Sequence, residues 1–123
     1  MNIVILGGGR VGSAMAIDLA KDISVTVVDK NQETLDRFSQ IQKIDTVQAD
    51  LANVDDIPGL ISNVDLVINA VPGYLGNQTL IKIIETGKDV VDISFLPEDP
   101  LELDQLARSN NVTAIVDCGV APG

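Results

Sequence analysis

The chain has 123 residues, 46% of them hydrophobic, which is enough to bury one hydrophobic core, and we treat residues 1–123 as one domain. Its 18 acidic residues against 8 basic ones give a net charge of −10, which argues against a nucleic-acid or anionic-membrane surface. Histidine is absent, and no spacing of the carboxylates suggests a metal site, so we expect neither an imidazole base nor a bound metal.

The ends of the chain and its cysteine content bear on where the protein resides. The N-terminus lacks a basic region and reaches glycine after a short apolar run, unlike a signal peptide, and no apolar stretch approaches the ~20 residues that span a bilayer. Cys118 is the single cysteine, so no internal disulfide can form, and its apolar surroundings predict a packed, inert thiol. We therefore expect a cytoplasmic protein without membrane contact.

The first predicted element is a strand over residues 3–6 that leads into a glycine-rich turn. Gly7, Gly9 and Gly12 have G-x-G-x-x-G spacing, and a helical pattern over residues 11–21 follows. Gly7 permits a sharp turn, Gly9 leaves room for a ligand beside the backbone, and Gly12 lets the helix pack on the strand. The helix N-terminus then presents free N–H groups to an anion, so the pattern predicts a pyrophosphate site.

An acidic residue follows the second predicted strand, which covers residues 25–28. Asp29 lies about 20 residues beyond the first glycine, where a carboxylate hydrogen-bonds the adenosine ribose and repels a 2′-phosphate. This favours NAD over NADP, and the adjacent Lys30 weakens the preference without reversing it. The alternative is that Asp29 only opens a turn. Arg10, beside Val11 in the glycine turn, either screens a phosphate or faces solvent.

The middle of the chain predicts a second helix and a third strand. Asn31 is placed as an N-cap for a helix that buries Leu35, Phe38 and Ile41. After the strand over residues 45–48 come Asp50 and its neighbour Leu51. Asp50 either meets the adenine edge of a cofactor or caps the next helix.

A third helix and a fourth strand follow. The helix over residues 54–61 contains Pro58-Gly59, which predicts a short or distorted element, and its Asp55-Asp56 pair is most simply a set of helix-start charges. The strand over residues 66–69 ends in small residues that would let the second ribose of a dinucleotide lie against the backbone. These are Asn69, Ala70, Val71 and Pro72. The alternative is a plain Pro-Gly turn.

The last third of the chain predicts two more helix–strand pairs. A helix over residues 77–86 ends at Gly87, and a strand covers residues 90–93. Asp99 then caps a helix that begins at Pro100, buries Leu103, Leu106 and Ala107, and precedes a strand over residues 113–116. Six apolar strands alternating with helices predict an α/β fold with a doubly wound parallel sheet in the order 3-2-1-4-5-6.

Two families resemble the first half of the sequence. Residues 9–12 (Gly-Arg-Val-Gly) and 27–31 (Val-Val-Asp-Lys-Asn) are similar to nucleotide-gating domains of potassium transporters and channels, which are regulatory binding modules. The same residues resemble the N-terminal domain of the saccharopine dehydrogenase-like family. Residues 69–74, 91–95, 97–100 and 117–123 are similar only to the dehydrogenases. The Thr- and acid-rich turn of the gating domains is missing after the fourth strand, so we favour the dehydrogenase family.

The resemblance implies an NAD-binding domain of an amino-acid dehydrogenase that moves a hydride between nicotinamide and a carbon bound to nitrogen. Asp117 matches an acidic residue that would orient substrate or nicotinamide. Saccharopine reductases carry a proposed acid/base aspartate where this chain has Ala121, so that role does not transfer, and we assign no catalytic residue. The Ala121-Pro122-Gly123 motif looks more like the lysine 6-dehydrogenase branch.

The family also implies a longer enzyme. Its members continue through a substrate-binding and dimerisation domain, so the resemblance implies that this chain is the cofactor-binding part of a homo-oligomeric parent. The amino-acid substrate would then bind through a domain that this chain lacks. We expect the chain alone to bind the dinucleotide weakly and to turn over nothing.

Overall fold

A computed structural model describes residues 1–41, 43–71, 73–93 and 100–115. Its six strands are all parallel and hydrogen-bonded in the order β3-β2-β1-β4-β5-β6. This confirms the predicted fold class and strand order. The strands are β1 (Asn2–Leu6), β2 (Ser24–Asp29), β3 (Ile44–Gln48), β4 (Leu66–Asn69), β5 (Asp89–Asp92) and β6 (Ala114–Ile115).

The helices lie between the strands in sequence, as a doubly wound sheet requires. One additional 3₁₀ turn, Val54–Asp56, precedes the third helix. The helices are α1 (Arg10–Leu19), α2 (Gln32–Asp36), α3 (Ile57–Ile61), α4 (Gly73–Glu85) and α5 (Pro100–Ser109).

The central strands are apolar on both sides because each face of the sheet carries its own hydrophobic core. On one face Ile3 and Ile5 pack with residues of α1 and α2, including Ala16 and Leu35. On the other face the core joins strand residues to α3, α4 and α5, among them Val4, Leu6, Val67, Ile57, Leu80, Ile83 and Ala107. Such two-sided burial explains why the strand sequences are continuous apolar runs.

The second helix is shorter than predicted. Asn31 does cap it, since its side-chain Oδ1 accepts the Glu33 N–H at 2.9 Å, but α2 ends at Asp36. Phe38 is buried and Ile41 half-buried, yet both lie in tight turns beyond the helix. Their amide groups donate to carbonyls three residues earlier, Phe38 to Leu35 and Ile41 to Phe38. The spacing of three therefore reflects 3₁₀-like turns rather than an α-helix.

The third helix is short, as predicted, but Pro58-Gly59 does not interrupt it. The break falls earlier, between the 3₁₀ turn and α3, and Pro58 occupies the first turn of α3. A proline there loses no helical hydrogen bond, because the first N–H groups of a helix have no intrahelical acceptor.

The remaining element boundaries differ only slightly from the predictions. Helix α4 begins one turn earlier than expected and ends before Gly87, whose φ of +82° is the left-handed conformation of a helix stop. Strand β5 ends at Asp92, so Ile93 follows the strand instead of closing it. The predicted Asp99 cap, Val116 and Cys118 lie outside the described residues.

Among the described residues, no helix is both long enough and apolar enough to cross a bilayer. The same residues contain no group of three or more Cys, Asp or Glu side chains arranged to hold a metal ion.

Candidate functional site

The glycine turn lies at the carboxyl end of β1, where the chain leaves the sheet. Gly7 has a φ of +104°, and its N–H donates to the Val28 carbonyl at 2.8 Å. A Cβ at Gly7 would lie 2.5 Å from the Ala70 carbonyl oxygen, which belongs to the turn after β4. Both the left-handed conformation and the close approach of two backbones therefore require glycine at this position.

The other two glycines of the motif, Gly9 and Gly12, lie at the N-terminus of α1. Gly9 is the N-cap residue, is exposed, and has no atom within 4 Å of the place its Cβ would occupy. No side chain caps α1, so the start of the helix is open to an anion. At Gly12 a Cβ would collide with the Gly7 carbonyl oxygen, so only glycine lets α1 pack this tightly against the turn.

Ser13 stabilises the turn from within the helix. Its hydroxyl donates to the Gly8 carbonyl oxygen at 2.7 Å, and its N–H donates to the Gly9 carbonyl at the same distance. These bonds hold the backbone of the glycine turn against the first turn of α1. The motif did not include Ser13, although a hydroxyl residue directly after Gly12 could have indicated this support.

Asp29 ends β2, and its half-buried carboxylate reaches back to the glycine turn. One oxygen, Oδ2, accepts the Gly8 N–H at 2.8 Å, while Oδ1 accepts the Asn31 N–H at 2.8 Å. Two backbone groups from different segments thus fix the orientation of the carboxylate. A carboxylate oxygen can accept more than one hydrogen bond, so each keeps capacity for a ligand hydroxyl.

A hollow beside Asp29 extends towards the carboxyl end of β3. Lys30 and Asp50 are exposed at its rim, whereas Leu51 is buried and Leu75 of α4 is half-buried. Asp50 Oδ1 accepts the Ala52 N–H at 3.0 Å, so its carboxylate stabilises the turn after β3. The structure therefore shows a local turn bond at Asp50, and contact with an adenine ring stays a prediction. The described residues lining this hollow are Gly7, Asp29, Lys30, Asp50, Leu51, Ala52, Val71 and Leu75.

A second hollow adjoins the first and runs past the start of α1 towards β4 and β5. It combines the glycine turn with the ends of those strands, and its described lining residues are Gly7, Gly9, Arg10, Val11, Gly12, Asp29, Ala70, Val71 and Ile93. Arg10 and Val11 are both exposed there. Because Gly7, Asp29 and Val71 border both hollows, the two form one elongated cleft.

The predicted site residue Asn69 lies beneath this cleft. Its side chain is fully buried, and Nδ2 donates to Asp92 Oδ2 at 2.7 Å and to the Gly76 carbonyl at 3.3 Å. Asp92 is also fully buried. The Asn69 amide therefore supports the walls of the cleft from below, a role that the sequence did not indicate because it depends on the pairing of β4 with β5.

Most of the predicted cofactor-binding residues come together in one place. Gly7, Gly9, Arg10, Val11, Gly12, Asp29, Lys30, Asp50, Leu51, Ala70 and Val71 all line the cleft, with Asn69 directly below. Pro72 and Asp117 lie outside the described residues. Sequence reasoning missed Ala52, Leu75 and Ile93 as lining residues, since a small or aliphatic side chain carries no chemical signal by itself. Their contact with a cofactor, like that of the predicted residues, stays a prediction.

The cleft has the features that a dinucleotide requires. It follows the carboxyl ends of the strands at the point where the order reverses between β1 and β4, the usual ligand position in an open α/β sheet. The empty space at the Gly9 Cβ position and the uncapped start of α1 suit a pyrophosphate. The fixed Asp29 carboxylate suits a ribose.

Comparisons with known proteins agree with this assignment. The family model described as "Saccharopine dehydrogenase NADP binding domain" matches residues 3–115. A saccharopine dehydrogenase [NADP(+), L-glutamate-forming] of Pyricularia oryzae is 29% identical over 99% of this chain. A shikimate dehydrogenase (NADP(+)) of Methanococcus maripaludis is 28% identical over 87% of it. The chain spans 28% and 41% of the lengths of these two relatives.

A solved structure shows the same fold. The apo saccharopine dehydrogenase (L-Glu forming) of Saccharomyces cerevisiae superposes with a TM-score of 0.82 at 23% identity, covering 99% of this chain and 28% of that one. At this sequence identity the superposition shows a shared fold and carries no information about function. Because the family model covers nearly the whole chain, we conclude that this protein belongs to the saccharopine dehydrogenase family and comprises its nicotinamide-dinucleotide-binding domain.

Proposed function

We propose that this domain binds NAD(H) in preference to NADP(H), as the cofactor-binding part of an amino-acid dehydrogenase acting at a carbon–nitrogen bond. The observation that carries the proposal is the carboxylate of Asp29, held at the glycine turn by the Gly8 and Asn31 N–H groups. Bound there, the cofactor would supply a nicotinamide ring that accepts or gives a hydride at the substrate carbon.

The preference for NAD follows from the charge and the fixed position of Asp29. A ribose hydroxyl can donate to either carboxylate oxygen, whereas a 2′-phosphate would place negative charge next to negative charge. Two backbone hydrogen bonds keep the carboxylate from turning away, so the repulsion is not easily relieved. Lys30, exposed at the rim, offsets part of this repulsion without removing it.

The proposed cofactor preference of this chain differs from that of its relatives, whose names specify NADP(+). The Pyricularia oryzae and Methanococcus maripaludis enzymes are both named for NADP(+). Cofactor choice in such folds depends on one or two side chains beside the ribose, and it can differ between related domains. We therefore base the preference of this chain on its own Asp29.

The reaction type is inferred from the family and from the motifs. We propose hydride transfer at an amine-bearing carbon, in the lysine 6-dehydrogenase branch, with an amino-acid substrate. The matched family model describes a dinucleotide-binding domain, so we expect the 123-residue chain to bind cofactor without turnover. A cytoplasmic location and a homo-oligomeric parent enzyme belong to the same proposal.

Gly9→Ala tests the placement of the dinucleotide. The Cβ of this variant meets no protein atom within 4 Å, so the unliganded chain should fold as before. With the pyrophosphate beside Gly9, the methyl group would occupy ligand space and lower the NADH affinity by at least about tenfold, a loss typical of a displaced close contact. Titration calorimetry with NADH measures this change.

Gly59→Ala is the matched control. Gly59 lies in α3, and its Cβ would also meet nothing within 4 Å. This variant should bind NADH like the original chain. If Gly9→Ala binds NADH as tightly as Gly59→Ala does, or if the unmodified chain binds no dinucleotide, the proposed site is wrong.

A further inference from the structure

The buried pair Asn69–Asp92 lies directly under one half of the cleft. The two residues are register partners at the carboxyl ends of β4 and β5, and both side chains are fully buried. Their hydrogen bond, from Asn69 Nδ2 to Asp92 Oδ2, is 2.7 Å long. Because both side chains are shielded from water, breaking this bond would take a hydrogen bond from buried polar groups that water cannot replace, which is costly.

The orientation of the Asn69 amide is determined by its neighbours. Nδ2 faces two acceptors, Asp92 Oδ2 and the Gly76 carbonyl oxygen of α4. A flipped amide would point its oxygen at both acceptors, so only the present orientation is favourable. The Asn69 side chain therefore joins three elements, β4, β5 and α4. Its Oδ1 has no hydrogen-bond partner among the described residues.

Both residues directly precede cleft-lining positions. Asn69 leads into Ala70 and Val71, and Asp92 leads into Ile93. The Ile93 N–H also donates to the Asn69 carbonyl at 3.0 Å, which ties the two strand ends together. A change in the Asn69–Asp92 bond would therefore move the walls formed by Val71 and Ile93.

These walls belong to one end of the elongated cleft. The adenosine half of a dinucleotide extends over β1, β2 and β3, where Asp29 meets the ribose. The pyrophosphate crosses at the start of α1, so the nicotinamide half must extend over β4 and β5. The Asn69–Asp92 pair lies under this second half only.

We propose that Asn69 and Asp92 are positioning residues for the nicotinamide ring. Through Val71 and Ile93 they set the shape of the part of the cleft that receives the ring, without touching the adenosine part. The inference rests on the proposed function, because it assumes that the cleft holds a nicotinamide dinucleotide.

The test compares NADH with ADP-ribose, which lacks the nicotinamide ring. Asn69→Leu removes both amide hydrogen bonds, and Asn69→Ser removes them with a smaller side chain. Each should lower the NADH affinity by about tenfold or more, as expected when a buried polar group loses a hydrogen-bond partner, while the ADP-ribose affinity changes less than about twofold. A general loss of folded protein would lower both affinities by the same factor, so the ratio separates positioning from stability.

Thr79→Val is the matched control. Thr79 is fully buried in α4, and its Oγ1 has no hydrogen-bond partner among the described residues. The substitution changes a buried polar group of similar size in the same helix as Gly76 without breaking the Asn69 bonds. It should leave the ratio of the two affinities unchanged.

A second measurement uses the unmodified chain, so its result does not depend on whether the Asn69 variants fold. The side-chain amide signal of Asn69 in a ¹H–¹⁵N spectrum should shift on addition of NADH by more than it shifts with ADP-ribose. The inference is overturned if both ligands shift the signal equally, or if the folded Asn69 variants keep the original affinity ratio. If neither ligand binds the unmodified chain, the proposed function itself is wrong.

Discussion

At the scale of single residues, the side chain proposed to select the cofactor, Asp29, is held in place by the backbone of the glycine turn. Its two oxygens each accept a backbone N–H at 2.8 Å, from Gly8 and from Asn31. There is little space for a side chain at Gly8, because a Cβ there would lie 2.9 Å from Thr34 Cγ2 and 3.4 Å from Asp29 Oδ2. The side chain that would recognise the ribose is thus positioned before any ligand arrives, which reduces the ordering cost of binding.

Asp29→Asn should change the cofactor preference. The amide has a similar shape but no negative charge, so the repulsion of a 2′-phosphate disappears. Its NH2 group accepts no hydrogen bond, so one of the two backbone N–H bonds and one acceptor for the ribose hydroxyls are lost. We expect the ratio of NADPH to NADH affinity to rise about tenfold or more, which corresponds to a free-energy change of about 1.4 kcal/mol. Parallel calorimetric titrations with the two cofactors measure the ratio.

Asp45→Asn controls for the change in net charge. Asp45 is exposed near the amino end of β3, at the opposite end of the strand from the cleft, and its substitution alters the net charge equally. An equal shift of the affinity ratio in both variants would mean that overall charge, and not the Asp29 carboxylate, determines the preference.

Sequence reasoning was sufficient for Asp29 and insufficient for Asn69. Asp29 has a fixed distance from the glycines, because one helix must fit between β1 and β2, so its place beside the turn could be predicted. Asn69 was predicted as a cleft residue for the same positional reason. Its orientation depends on Asp92, 23 positions away along the chain, and only the register of β4 with β5 brings the two together.

At the scale of elements, helix boundaries were predicted well where a residue carries a specific conformational signal and poorly where none does. Gly87 ends α4 with a φ of +82°, and its N–H donates to the Ile84 carbonyl at 2.9 Å. Asn31 begins α2 with a side-chain cap. The start of α4 was missed because Gly73 follows a proline, a sequence that is typical of a turn and gives no helix signal.

Gly87→Ala should destabilise the fold by a purely conformational effect. A Cβ at Gly87 meets nothing within 4 Å, so no clash contributes, and the cost of a left-handed alanine is about 1 kcal/mol. Urea unfolding followed by circular dichroism gives the free energy of unfolding.

Gly87→Asn provides a comparison for this prediction, because asparagine adopts the left-handed conformation more readily than alanine and should cost less. If Gly87→Ala is as stable as the original chain, the conformation at the end of α4 is not left-handed in solution.

At the scale of the whole molecule, the strand order follows from chain connectivity, whereas the shape of the cleft does not. Parallel strands joined by helices through right-handed crossovers allow few arrangements, so the order 3-2-1-4-5-6 could be predicted. The cleft depends on close backbone approach between the turns after β1 and β4, seen at Gly7 and Ala70. Such contacts between distant segments leave no periodic pattern in a sequence.

The reversal of strand order between β1 and β4 also explains how one small domain serves both halves of a dinucleotide. The glycine turn and Asp29 lie on one side of the reversal, and the Asn69–Asp92 pair lies on the other. The first group would select the adenosine part, and the second would position the nicotinamide ring. Membership of the saccharopine dehydrogenase family fits this division of roles.

The most direct measurement of the central claim is a calorimetric titration of the unmodified 123-residue chain with NADH and, separately, with NADPH. The fixed carboxylate of Asp29 predicts that NADH binds tighter by about tenfold or more, the effect of about 1.4 kcal/mol of repulsion at the 2′-position. Equal or tighter binding of NADPH would contradict the role assigned to Asp29 and with it the proposed NAD preference.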